Sequence, residues 1–211
     1  TNPTYSFNLL AVSKTKSIEQ IKELSELGQL HFGENKVQDL FEKSEALKSS
    51  NIKWHFIGHL QSNKVNQLLK IKNLIAIHCI DSLKILTKIL TKQRDQKLGL
   101  FLQINTSGEN EKSGFESLED IHNGVELILN SEDYYLQGLM TIGKIRTEEF
   151  IEDAHHCFTH LQGLKKSLEQ KYNLTLELSM GMSQDFEIAQ KHGSGWVRIG
   201  SLLFGGRTVS K

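Results

Sequence analysis

The chain has 211 residues, and 25 Lys and Arg balance 25 Asp and Glu, so its formal net charge is zero. With 38% hydrophobic and 24% charged residues it carries core material for a folded domain and does not belong with disordered chains. Zero net charge supplies no global field to attract nucleic acid or an anionic membrane, and no apolar run approaches the roughly 18 residues of a membrane span.

Eight short apolar runs, rich in β-branched and aromatic residues, read as strands. They cover residues 8–13, 29–33, 53–58, 74–80, 99–105, 136–142, 175–180 and 197–203. Several are apolar almost throughout, as strands covered on both faces are. Helical segments lie between them. Ile18, Ile21, Leu24 and Leu27 recur at helical spacing and end at Gly28, a C-terminal stop. Further helices are expected over 35–47, 62–72, 82–94, 116–130, 147–172 and 184–191, with Ser17, Ser62, Ser82, Ser117 and Ser183 placed as N-caps. A single proline and no Gly/Ser-rich stretch leave no linker, so residues 1–211 read as one domain, expected to act as a monomer. The two cysteines, Cys79 and Cys157, lack metal spacing, and the first eight residues lack an apolar secretory stretch; both point to a reducing, cytoplasmic location.

Eight strand–helix units of about 26 residues each fit a single (β/α)8 TIM-type barrel of the α/β class. A doubly wound open sheet fits the same alternation, because strand order is not written in the pattern. In a barrel the chemistry sits where strands end. Those ends carry Lys14 and Lys16; Glu34 and Asn35; His59; Asp81; Asn105; Thr141; Ser179, Ser183 and Asp185; and Gly200, Ser201 and Arg207. Helix caps and glycine turns would account for many of them. Two features ask for more. Lys14 closes a strongly apolar strand, and a lysine there is a candidate nucleophile toward an aldehyde, with Lys16 the ordinary surface lysine beside it. The small-residue turns "SMGMS" and "RIGS" follow the last two strands, where barrels commonly bind phosphate. Together they suggest a phosphorylated ligand beside a Schiff-base lysine. His155, His156 and His160 read as a solvated helix face, and Trp54, Trp196 and Cys79 as core.

Six motifs carry a resemblance: "LLAVSKTK" (9–16), "HFGEN" (31–35), "WHFIGHLQSNK" (54–64), "LQGLMTI" (136–142), "LSMGMSQDFEIA" (178–189) and "VRIGSLLFGGR" (197–207). In this order they resemble the YggS/PROSC family of pyridoxal 5′-phosphate (PLP) homeostasis proteins, barrels similar to the N-terminal domain of alanine racemase and without an established catalytic activity. The resemblance implies that Lys14 forms the internal aldimine with PLP. It further implies that Ser179, Ser183, Gly200 and Ser201 hold the phosphate, that Arg198 faces the pyridine nitrogen, and that Asn35 lies near the ring. PLP-dependent apoenzymes are the implied recipients, and nucleic acid and membranes are not expected partners. The chain departs from the family pattern at Ser17 and at His59, where prolines are usual, and at Lys36, where a tyrosine is usual. Members also commonly carry a helix of about twenty residues before the first strand. An arginine cannot take a proton from the pyridine nitrogen, so the cofactor would be a poor carbanion sink. With no second domain expected to supply an acid/base on the opposite face, a carrier reading is favoured over a small amino-acid racemase.

Overall fold

The computed structural model describes residues 7–109, 111–144 and 147–205. Eight parallel strands close into a barrel in sequence order, which decides against the open sheet. They are β1 (Asn8–Val12), β2 (His31–Glu34), β3 (Lys53–Phe56), β4 (Leu74–Ile80), β5 (Leu98–Gln103), β6 (Tyr134–Met140), β7 (Glu177–Ser179) and β8 (Trp196–Ile199). Closure runs through β1 and β8, where Leu10 pairs with Arg198 and Ala11 with Ile199. The helices are α1 (Ile18–Glu26), α2 (Val37–Ala46), α3 (Val65–Leu68), α4 (Leu83–Leu90), α5 (Leu118–Leu129), α6 (Phe150–Tyr172), α7 (Phe186–Lys191) and α8 (Ser201–Phe204).

Strand alternation sorts the core into two shells. Phe32, Trp54 and Phe56 point outward and pack under the helices with Leu40, Val65 and Leu68, all buried. His31, His55, His78, Phe101 and Trp196 fill the interior. His78 of β4 stacks on Phe101 and meets Trp196 of β8, a contact that can only cross the barrel.

Local signals held where a polar side chain had one job. Ser17 caps α1 in a full capping box with Gln20, and Gly28 follows it with φ +99°, the left-handed stop that glycine adopts cheaply. Ser117 caps α5. Three caps differ. The Ser82 hydroxyl turns to the Asp81 carboxylate, Ser62 opens a 3-10 turn (Ser62–Lys64) ahead of α3, and Ser183 lies in the loop before α7.

The last strand is shorter than its apolar run suggested. It stops at Ile199, and the amides of Leu203 and Phe204 fold back onto the Gly200 carbonyl to make α8. The second strand starts late because the Gln29 side chain bonds the carbonyls of Leu9 and His31. α3 ends at Leu68, short of residue 72, since Ile71 turns back to be buried. Among the described residues no helix is long and apolar enough to cross a membrane.

Candidate functional site

A cavity of about 570 Å³ opens at the C-terminal ends of the strands. Lys14, Asn35, Ser183, Arg198, Gly200 and Ser201 all line it, so the barrel gathers six residues from four strand ends. Lys14 is set by a tight turn in which the Lys16 amide bonds the Ser13 carbonyl at 3.0 Å. Thr15 sits at the crest with φ +65°. A β-branched residue in that region is strained, and such strain persists where surrounding structure imposes it. Lys16 is not the bystander the sequence suggested. It lines the cavity and donates to the Phe204 carbonyl at 3.3 Å, tying the first loop to α8. Lys36 is exposed at the start of α2 and does not line the cavity.

Ser179 lies apart from the other expected site residues. It is fully buried below the cavity, where its hydroxyl lies 2.8 Å from His78 Nδ1 and accepts from Arg198 Nη1 at 2.9 Å. Both of those bonds face the barrel interior, so this side chain is not part of the cavity wall. Arg207 lies outside the described residues.

The candidate anion cradle is made by the two loops after β7 and β8. Among the described residues, the amides of Ser183, Gln184, Gly200 and Ser201 make no hydrogen bond, and all four residues line the cavity, with the Ser183 and Ser201 hydroxyls beside them. Gly181 permits the first loop its path with φ +92°, where a Cβ would meet Ala189 at 2.6 Å. Convergent amides and hydroxyls are the chemistry that phosphate oxygens need.

Arg198 is a nearly buried part of the cavity wall. Nη1 donates to the Ser179 carbonyl and hydroxyl, and Nη2 to the Thr141 carbonyl at 2.9 Å. Of five N–H groups this commits three, so one edge remains for a ligand. Burial pushes the guanidinium down to about 10, opposed by the Asp185 carboxylate, which leaves it charged at neutral pH. Asp185 is itself raised by burial, while its bond from the Met182 amide at 2.6 Å and the charge of Arg198 pull it back. It was legible only as a strand-end residue, and its service to Arg198 needs the fold.

His59 lines the cavity from the end of β3, with its Nδ1 2.9 Å from Asp81. A smaller cavity of about 280 Å³ shares Ile57, His59 and Ile142 with the first and extends to Asn105 and Lys112. His155 pairs with His192 at 2.8 Å, and no metal-holding cluster occurs among the described residues.

This site can be set beside known proteins. The alanine racemase N-terminal domain family matches residues 6–208. A pyridoxal phosphate homeostasis protein of Schizosaccharomyces pombe is 39% identical over 209 residues, covering 96% of this chain and 85% of its own. Its human counterpart is 40% identical over 220 residues, covering 99% and 80%. The chain belongs to the pyridoxal phosphate homeostasis protein family. PipY of Synechococcus elongatus, solved with PLP bound, superposes with a TM-score of 0.85 at 29% identity, covering 96% of this chain and 94% of that one. Alanine racemase of Oenococcus oeni shares the fold, with a TM-score of 0.70 at 15% identity over 53% of its length.

The residues fit PLP on physical grounds. One cavity presents an amine, an open cradle of amides and hydroxyls, and an arginine edge with uncommitted donors.

Proposed function

We propose that this protein holds PLP through Lys14 and releases it to PLP-dependent apoenzymes, without turning over amino acids. The observation that carries the reading is that Lys14 shares one cavity with the open amides after β7 and β8 and with Arg198. Those three features match the aldehyde, the phosphate and the ring nitrogen of the cofactor. When bound, PLP supplies an aldehyde that condenses with an amine, losing water.

The roles of this chain's residues follow. Lys14 would hold the cofactor through its aldehyde end. Ser183, Gly200 and Ser201 bind the phosphate, and Asn35 borders the ring. The free edge of Arg198 donates toward the pyridine nitrogen. An arginine gives a hydrogen bond there but cannot leave a proton behind, which keeps electron withdrawal weak. That favours a holder of the cofactor over a racemase. The buried, unpaired thiols of Cys79 and Cys157 support a reducing, cytoplasmic setting.

Incubation of the PLP-loaded protein with L-alanine in deuterated water tests the absence of turnover. No deuterated D-alanine is expected, and multiple turnovers would make the chain a small racemase. In the same preparation, an apoenzyme separated by a membrane permeable to PLP should regain activity.

A further inference from the structure

A line of hydrogen bonds runs through the barrel and ends at the arginine in the cavity wall. His31 Nδ1 is 2.9 Å from His55 Nε2, His55 Nδ1 is 2.9 Å from His78 Nε2, and His78 Nδ1 is 2.8 Å from Ser179 Oγ. Arg198 Nη1 donates to that same oxygen at 2.9 Å. His55 and His78 are fully buried.

The direction of every bond follows from one fact: arginine only donates. Ser179 Oγ therefore accepts from Arg198, and its own proton needs an acceptor in a buried place. Among the described residues its remaining side-chain partner is His78 Nδ1, which must then be bare. A neutral His78 carries its proton on Nε2 and gives it to His55 Nδ1. His55 in turn gives its Nε2 proton to His31 Nδ1. All three rings share one tautomer, and the column points one way, from Arg198 to the far end of the barrel.

Charge keeps it neutral. His55 and His78 are held well below the ordinary histidine range, chiefly by burial; His78, His31 and Lys53 add to it for His55, and Arg198 for His78. His31 is lowered by burial and by Lys53. A second cation in this column would face the guanidinium in a low-dielectric interior. Bonds aligned in series also polarise one another, so a change at one end is felt along the line.

We propose that His78, His55 and His31 are positioning residues for Arg198: a one-way column that fixes the guanidinium facing the cofactor ring and transmits changes at the ring to the opposite end of the barrel. This rests on the PLP reading above for what Arg198 faces, and on geometry alone for the column.

The test has two arms. In cofactor-free protein labelled with nitrogen-15 histidine, long-range proton–nitrogen correlation at neutral pH should show all three rings neutral with the proton on Nε2. A ring with its proton on Nδ1, or a charged ring, would overturn the column whatever the protein binds. The Ser179→Ala variant removes a single oxygen and should cost His78 its fixed tautomer; an unchanged His78 would also overturn it. In the second arm PLP is added. The His31 ring should shift although it lies at the far end, and His78→Leu should weaken PLP binding about tenfold, the worth of one charge-assisted bond. His78→Gln, whose amide accepts from Ser179 and donates to His55, should restore affinity to within about twofold. A silent His31, or equal losses in the two variants, would contradict the positioning role. Failure of the unmodified protein to take up PLP would instead sink the proposed function, while the cofactor-free arm still judges the column.

Discussion

Lys43 of α2 places its ammonium 2.6 Å from the Glu34 carboxylate, which is fully buried at the end of β2. The same ammonium donates to the Ser13 carbonyl at 2.9 Å, and the Ser13 hydroxyl donates to Glu34 at 2.8 Å. This pair therefore anchors the residue immediately before Lys14, from the layer behind the barrel wall.

Removing one partner should cost far more than an exposed ion pair is worth. Lys43→Met leaves Glu34 as a buried, uncompensated charge, and we expect a loss of about 3 kcal/mol in urea denaturation. The double variant Lys43→Met with Glu34→Leu should recover most of it, because the stranded charge is gone. A single-variant loss below about 1 kcal/mol would show that solvent reaches the carboxylate.

Gly58 permits a close approach that the site depends on. A Cβ there would lie 2.0 Å from the Asn35 carbonyl oxygen, backbone that cannot swing aside. Gly58→Ala should displace the Asn35 loop, destabilise the fold by about 2 kcal/mol, and weaken PLP retention in equilibrium dialysis. Unchanged retention would remove Asn35 from the site.

The cradle hydroxyls should act on affinity rather than folding. Ser183→Ala combined with Ser201→Ala deletes two bonds to a charged phosphate at partly exposed positions, worth about 1 kcal/mol each. The expected result is a PLP dissociation constant raised about thirtyfold with little change in Tm. Equal affinity would place the phosphate elsewhere.

The buried histidines predict sensitivity to acid. Folding holds His55 and His78 below their ordinary value of 6.5, so below that pH the unfolded chain binds more protons than the native one. Their contribution is complete above about pH 6.5 and lost as pH falls through lower values, by about 1.4 kcal/mol per pH unit for each ring. Urea midpoints measured from about pH 7 to about pH 5 should fall less steeply in His78→Gln than in the unmodified protein. Identical slopes would mean that His78 takes up its proton in the native state.

Much of this was legible in the sequence, for reasons that differ by residue. The strands were visible as apolar runs, and Lys14, Ser183, Gly200 and Ser201 were read at their ends, where a barrel collects its chemistry, whereas Arg198 lies within β8 and was signalled only by the family resemblance. The burial of Ser179 beneath the cavity was not legible, because β7 spans three residues, too few for alternation to show which face its last side chain takes. The histidine column was invisible. Its members are separated by 24 and 23 residues, and only the barrel register brings successive strands' interior positions into one line. The Lys43–Glu34 pair was hidden likewise, since a charge in a helix reads as solvated until the strand behind it is known.

Covalent attachment of PLP to Lys14 is tested most directly by borohydride reduction. The protein is loaded with PLP, reduced, digested and mapped by mass spectrometry. Lys14 lines the cavity beside the cradle, whereas Lys16 is tied to the Phe204 carbonyl, Lys36 lies on the surface, and Lys112 is engaged with Glu109 and the Gly143 carbonyl. One pyridoxyl group per chain is expected, on Lys14, and none in Lys14→Ala. A label on Lys16, Lys36 or Lys112 in the unmodified protein, with Lys14 unreacted, would contradict that attachment.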